Sequence, residues 1–163
     1  MITVVDVETS WQVTDTGGYD PSPYHPDNIL VSVGINDEYY FTNHSERIDD
    51  GCYHKIQSIL DKTTLLVGHN IKFDLMWLIE AGFKYTGKVY DTMLGEYILN
   101  RGIRKSLTLE MSCRRRRIGS KDNRIKEFTD RGIPFQNIPA NVVEEYGRMD
   151  VQITRDLFNS QMA

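Results

Sequence analysis

The chain has 163 residues, a net charge of −4, 40% hydrophobic and 26% charged residues, values that exclude a collagen, a coiled coil and a wholly disordered polypeptide. Its length predicts one domain over residues 1–163 with its own core. No run of about 18 apolar residues occurs and the opening MITVVDVETS lacks a basic-then-apolar leader, so a soluble, cytoplasmic protein is expected, with no membrane span or secretory signal.

Residues 2–7 (ITVVDV) are β-branched and apolar and predict a core strand. Residues 9–28 break this pattern with two glycines and three prolines among polar and aromatic residues, which predicts a long loop. Two β-rich runs, 29–35 and 38–42, flank Asn36-Asp37 and predict a hairpin, so the first three strands form an antiparallel meander. Helical spacing of Ile48, Cys52, Ile56, Ile59 and Leu60 predicts a helix over about 46–61, followed by a short buried strand at 65–67. A helix over 71–81 is entered at His69-Asn70 and stopped by Gly82. A strand near 88–90 precedes a helix over 92–99 capped by Asp91. Ser106 is expected to cap a basic helix reaching about Arg117, and 119–139 reads as loop with one short helix. The last helix, 140–159, carries a stripe of Val142, Val143, Tyr146, Met149, Ile153 and Leu157. Three meander strands followed by helices alternating with two more strands predict an α/β fold of the ribonuclease H-like kind, a five-stranded mixed sheet flanked by helices.

Cys52 and Cys113 lie 61 positions apart with no CxxC or His cluster, which predicts buried thiols rather than a disulfide or zinc site. Charge is uneven along the chain. Residues 101–131 hold 11 of the 19 Lys and Arg against four acidic residues, an excess of seven positive charges, while the remainder has an excess of eleven negative ones. A basic lobe beside acidic surface points to contact with a polyanion, and the overall acidity argues against coating duplex DNA non-specifically.

Three segments carry candidate chemistry. Asp6 and Glu8 stand two apart at the end of the first strand, and the strand's period of two turns both carboxylates to one face, a geometry suited to a divalent cation. With 14 Asp and 9 Glu, about one D-x-E is expected by chance, so the pair gains weight only from its apolar setting in VVDVE. In GHNIKFDLMWL, Asn70 and Asp74 are four apart and share a face at the start of an apolar helix. In EEYGRMD, Tyr146 and Asp150 occupy adjacent turns of one face of the last helix.

In this order, D-x-E, N-x-x-x-D and Y-x-x-x-D, the chain resembles the DEDD superfamily of 3′→5′ exonucleases in its tyrosine-containing branch, and over nearly its whole length. With YDTMLGEYIL and KSLTLEMSC before a Gly119-Ser120-Lys121 turn, and DPSPYHPDNILVSVG after the first motif, it looks most like the proofreading domain of family A DNA polymerases, especially the phage-encoded kind. The resemblance implies catalytic roles for Asp6, Glu8, Asp74, Tyr146 and Asp150. The four acids would hold two divalent ions, Mg²⁺ or Mn²⁺ as suits oxygen-only ligands, and Tyr146 would position the attacking water. It implies a substrate of single-stranded or frayed DNA 3′ ends, with nucleoside 5′-monophosphates released in proofreading or phage replication, and a DNA polymerase subunit or domain as partner. An exoribonuclease of the same superfamily, acting on RNA, and a non-catalytic module binding a polymerase are the alternatives. Thr9 and Asn70 are candidates for holding the terminal nucleotide, and Phe73 for the core. His69 is read as a turn residue, because the branch-defining position is filled by Tyr146. Trp11, with Tyr19 and Tyr24, is a candidate for stacking bases. Of Arg114 to Arg117, which cannot all face one way, Arg114 and Arg115 are candidate phosphate contacts. The chain ends four residues after Asn159 without room for polymerase palm and fingers, as expected of a separate exonuclease subunit or an excised domain acting in a bacterial host cytoplasm.

Overall fold

The computed structural model describes residues 1–119 and 123–163. Its sheet is built on β1 (Ile2–Thr9), which runs two residues further than its apolar pattern. The following loop is not irregular throughout: β2 (Gln12–Val13) and β3 (Tyr19–Asp20) pair antiparallel as a small separate hairpin. β4 (Leu30–Ile35) and β5 (Glu38–Phe41) complete the expected meander. Asn36 turns the chain between them at φ 52°, a conformation Asn tolerates, and its side-chain oxygen accepts from Val4 N at 2.9 Å.

Helix α1 (Cys52–Asp61) starts six residues later than the periodicity predicts. Gly51 at φ 67° cannot continue a helix backwards, Asp49 is occupied by accepting from Phe41 N at 2.8 Å, and Ile48 is exposed. β6 (Leu65–Gly68), α2 (Ile71–Glu80), β7 (Lys88–Asp91) and α3 (Thr92–Leu99) follow within a residue of expectation. Asp91 caps α3 by accepting from Met93 N at 2.9 Å, as its place before the apolar stripe implied. The cap of α4 (Leu109–Arg116) is Thr108, whose hydroxyl accepts from Met111 N, and not Ser106. α5 (Arg124–Thr129), a 3₁₀ turn (Phe135–Asn137) and α6 (Ala140–Met162) complete the chain. The turn read at Gly119-Ser120-Lys121 lies, from Ser120 on, outside the described residues.

The five strands order as β5-β4-β1-β6-β7, with β6 and β7 parallel to β1. The carboxyl ends of these three strands therefore open on one edge, where an α/β sheet holds its ligands. On one face Val5, Val7, Val33 and Ile35 pack on Ile56 and Leu60 of α1 and on Ile71, Trp77 and Leu78 of α2. On the other, α6 crosses the sheet with Val151 and Phe158 against Val4 and Val67. The crossing is close because two residues lack side chains. A Cβ on Gly34 would lie 2.8 Å from Val151 Cγ2, and one on Gly147 would lie 2.4 Å from the Tyr39 ring. In the last helix Met149, placed on the apolar stripe by periodicity, faces solvent, while Gly147 and Asp150 turn inward. Cys52 and Cys113 are both buried and are not joined in a disulfide.

Candidate active site

The two carboxylates of β1 lie where the strand loses a neighbour. β1 pairs with β6 only from Ile2 to Val4, and with β4 from Val5 to Thr9, with an irregularity in register between Glu8 and Thr9. Register sets Asp6 opposite Gly34 and Glu8 opposite Ser32, on the face crossed by α6. There α6 delivers Tyr146 and Asp150 from successive turns. Carboxylate oxygens of Asp6, Glu8 and Asp150 come within 4.8 Å of one another, with Glu8 and Asp150 buried.

Asp74 arrives from the other side of β1. Beyond Val4 the strand has no β6 partner, and Val7 N, between the two acids, donates to Asp74 Oδ1 at 2.9 Å. An otherwise orphaned backbone donor thus anchors the first turn of α2. Burial pushes the Asp74 carboxyl up to about 8 against the Val7 bond, and the charges of Asp91 and Asp150 push it the same way as burial. Tyr146 is hydrogen-bonded to Asp150, and its hydroxyl is pushed well above the usual phenol range by burial and then by the charges of Glu8, Asp150 and Asp6. It is therefore a neutral O–H at any physiological pH. Behind it, Tyr39 shares a 2.8 Å hydrogen bond with Ser32 and donates to the Val143 carbonyl, linking β4 and β5 to α6.

Three converging carboxylates with a fourth behind them repel one another, and such a cluster is satisfied by a cation. The donors are all oxygen, which fits Mg²⁺ or another hard divalent ion rather than zinc. The arrangement can bind a metal ion beside a neutral tyrosine hydroxyl at an open sheet edge.

The remaining sequence candidates are distributed differently. Thr9 is buried at the end of β1, adjoining Glu8. Asn70 is exposed at φ 58° with its N–H donating to Asp91 Oδ1 at 2.9 Å, so Asp74 alone of that pair turns inward. His69 is a turn residue whose Nε2 donates to the Leu107 carbonyl at 2.7 Å. Trp11 stands edge-to-face between Tyr19 and Phe135, each at 5.8 Å. Phe135 continues at 6.0 Å to Tyr146, a contact for which no motif gave a signal. Arg115 is not a free cation: with Arg116 it is paired to buried Glu96, and it also donates to the Ser106 carbonyl at 2.6 Å. Arg114 is exposed and pairs with Glu110 one turn back.

Fold and likeness together define an α/β domain with the ribonuclease H-like fold. A nuclease solved in its apo form is similar at a TM-score of 0.67 and 15% identity, over 99% of this chain and 71% of that one. Brucella melitensis NrnC with bound Mg²⁺ is similar at a TM-score of 0.49 and 17% identity, over 99% of this chain and 82% of that one. In sequence, DNA polymerase I of Borreliella burgdorferi is 25% identical over 105 residues, 64% of this chain and 11% of that protein, so the chain spans about a tenth of that relative's length. The 3′-5′ exonuclease profile of the DNA polymerase A type matches residues 14–161, and the chain belongs to that family as a 3′-5′ exonuclease domain of the DEDD type. The match begins past Asp6 and Glu8, so their place in the site rests on geometry.

Proposed function

We propose that this domain, a single unit over residues 1–163, removes nucleotides from the 3′ ends of single-stranded or frayed DNA in the cytoplasm by metal-dependent hydrolysis, releasing nucleoside 5′-monophosphates. The carrying observation is the convergence of Asp6, Glu8 and Asp150 beside Tyr146. Asp6, Glu8, Asp74 and Asp150 would hold two divalent ions, Mg²⁺ or Mn²⁺ by ligand chemistry. Metal ions bound there supply a nucleophile at neutral pH and charge stabilisation at the scissile phosphate.

The chain's own residues orient the reactants. The neutral Tyr146 hydroxyl, fixed by Asp150 and by Phe135 against its ring, directs the attacking water toward the phosphate. Thr9 and Asn70 border the terminal nucleotide, and Trp11 offers a ring to a base. Arg114 remains available to a phosphate once Arg115 is assigned to Glu96. DNA rather than RNA, and a proofreading partnership with a polymerase, are favoured by the likeness to a DNA polymerase I. Digestion of 5′-labelled DNA and RNA strands with Mg²⁺, Mn²⁺ or EDTA tests the reading. The expected result is a ladder shortening from the 3′ end of DNA only with metal; intact strands with both metals would refute it.

A further inference from the structure

The residues between β1 and β4 build a second feature beside the acids. Asn28 is buried and serves as a hub: its amide donates to the carbonyls of Asp20 and Ser22, both at 2.9 Å, while its oxygen accepts from Gln12 at 3.2 Å and Ser10 at 3.4 Å. Trp77 of the core donates to the Pro21 carbonyl at 3.0 Å. The β2–β3 hairpin is thus held from both ends, although 9–28 has the composition of a loose loop. Against it stands the end of α5, and the two flank an open cleft of about 360 Å³ lined by Trp11, Tyr19, Pro21, Thr129 and Asp130. That is within the range of small-ligand pockets.

We propose that this cleft is a nucleobase subsite for the substrate strand, preferring bases with adjacent N–H donors, guanine above all. Two rings meeting edge-to-face at 90° and a proline give an apolar corner, which offers an exposed ring surface for a planar aromatic ligand to stack on. Packed rings tie this lining to the proposed catalytic centre, from Trp11 to Phe135 at 5.8 Å and from Phe135 to Tyr146 at 6.0 Å. The cleft's rim carries a carboxylate, Asp130, which repels the phosphate backbone and accepts hydrogen bonds but does not donate them. Guanine presents N1–H and N2–H₂ side by side to such an acceptor. Thymine and uracil present one N–H between two carbonyl oxygens, which a carboxylate opposes. A preformed cleft also binds without the ordering cost of a loose loop.

The inference rests on the strand being the substrate, and its test is separable from hydrolysis. Oligo-dT strands with a single dG walked inward from the 3′ end are titrated in EDTA, following tryptophan fluorescence, with Trp11→Phe assigning the signal against buried Trp77. The expected result is quenching of Trp11 and an affinity gain on the order of 10-fold at one register. Asp130→Asn should remove that gain and keep the quenching. Equal affinity at every register, or no change in Trp11 emission on binding, would overturn the proposal. Register-specific quenching in a protein that cleaves no strand with either metal would support the subsite while refuting the exonuclease reading.

Discussion

At the residue scale, the acids do two opposing things. In the cation-free protein Asp6, Glu8 and Asp150 repel one another at close range, so their convergence opposes folding, and the proposed metal binding would relieve it. Asp6→Ala, alone or with Glu8→Ala, is therefore expected to abolish hydrolysis without lowering the melting temperature in EDTA. Mg²⁺ or Mn²⁺ should raise the wild-type melting temperature, by about 2.7 kcal/mol of stability at 100 times Kd, and leave the double variant unmoved. Calorimetry in EDTA and in metal checks both halves. Tyr146→Phe separates positioning from metal holding. The ring stays against Phe135 while the hydroxyl bonded to Asp150 is removed. Single-turnover hydrolysis should fall on the order of 100-fold, less than in Asp6→Ala, with metal binding kept. Wild-type chemistry in Tyr146→Phe would reduce the residue to packing.

At the element scale, the site depends on how near α6 comes to the sheet. Alanine usually stabilises a helix interior by about 1 kcal/mol over glycine. At Gly147 the new Cβ would lie 2.4 Å from the Tyr39 ring, so overpacking should win, at about 1–3 kcal/mol. Gly147→Ala is expected to destabilise and, by shifting Tyr146 and Asp150, to slow turnover more than it weakens strand binding. Urea unfolding and kcat against KM measure the two effects.

A second element-scale device is Glu96 of α3, fully buried and bonded to Arg115 and Arg116 of α4 and Gln161 of α6. Burial pushes its carboxyl up, but the bonds from Arg116, Gln161 and Arg115 outweigh this and hold it below the usual range. A depressed folded pKa gives stability that is present above the unfolded pKa and is lost as pH falls through the folded one. Glu96→Ala should cost about 3–5 kcal/mol at neutral pH, because it strands two partly buried guanidiniums. Its stability should also lack the acid-side fall that wild type shows below the ordinary carboxylate range, a difference read from melting curves against pH.

At the scale of the whole molecule, the basic lobe is less available to a polyanion than its composition implied, since Arg115 and Arg116 are spent on Glu96. The exposed pair Arg114 and Arg117 is where phosphate binding should reside. Neutralising those two should flatten the salt dependence of single-strand binding by about 0.7 in log–log slope for each phosphate that is no longer held. Neutralising Arg115 and Arg116 should lower stability instead. No helix among the described residues is long and apolar enough to cross a membrane.

Strand alternation, the Asn36-Asp37 turn, the Asp91 cap and the order of the three acidic motifs were readable in the chain, because each depends on neighbours a few positions apart. The shared face of Asp6 and Glu8 follows from the same short-range geometry. Only the tertiary structure decided the rest. Asp74 reaches Val7 across 67 positions, Arg116 reaches Glu96 across 20, and neither pairing leaves a periodic trace. The hairpin in 9–28 stands on hydrogen bonds from Asn28 and Trp77 rather than on its own propensities. Helix periodicity put Met149 inward because it assumes an apolar partner surface. The sheet instead offers α6 carboxylates and Gly34, so Gly147 and Asp150 are the residues that fit.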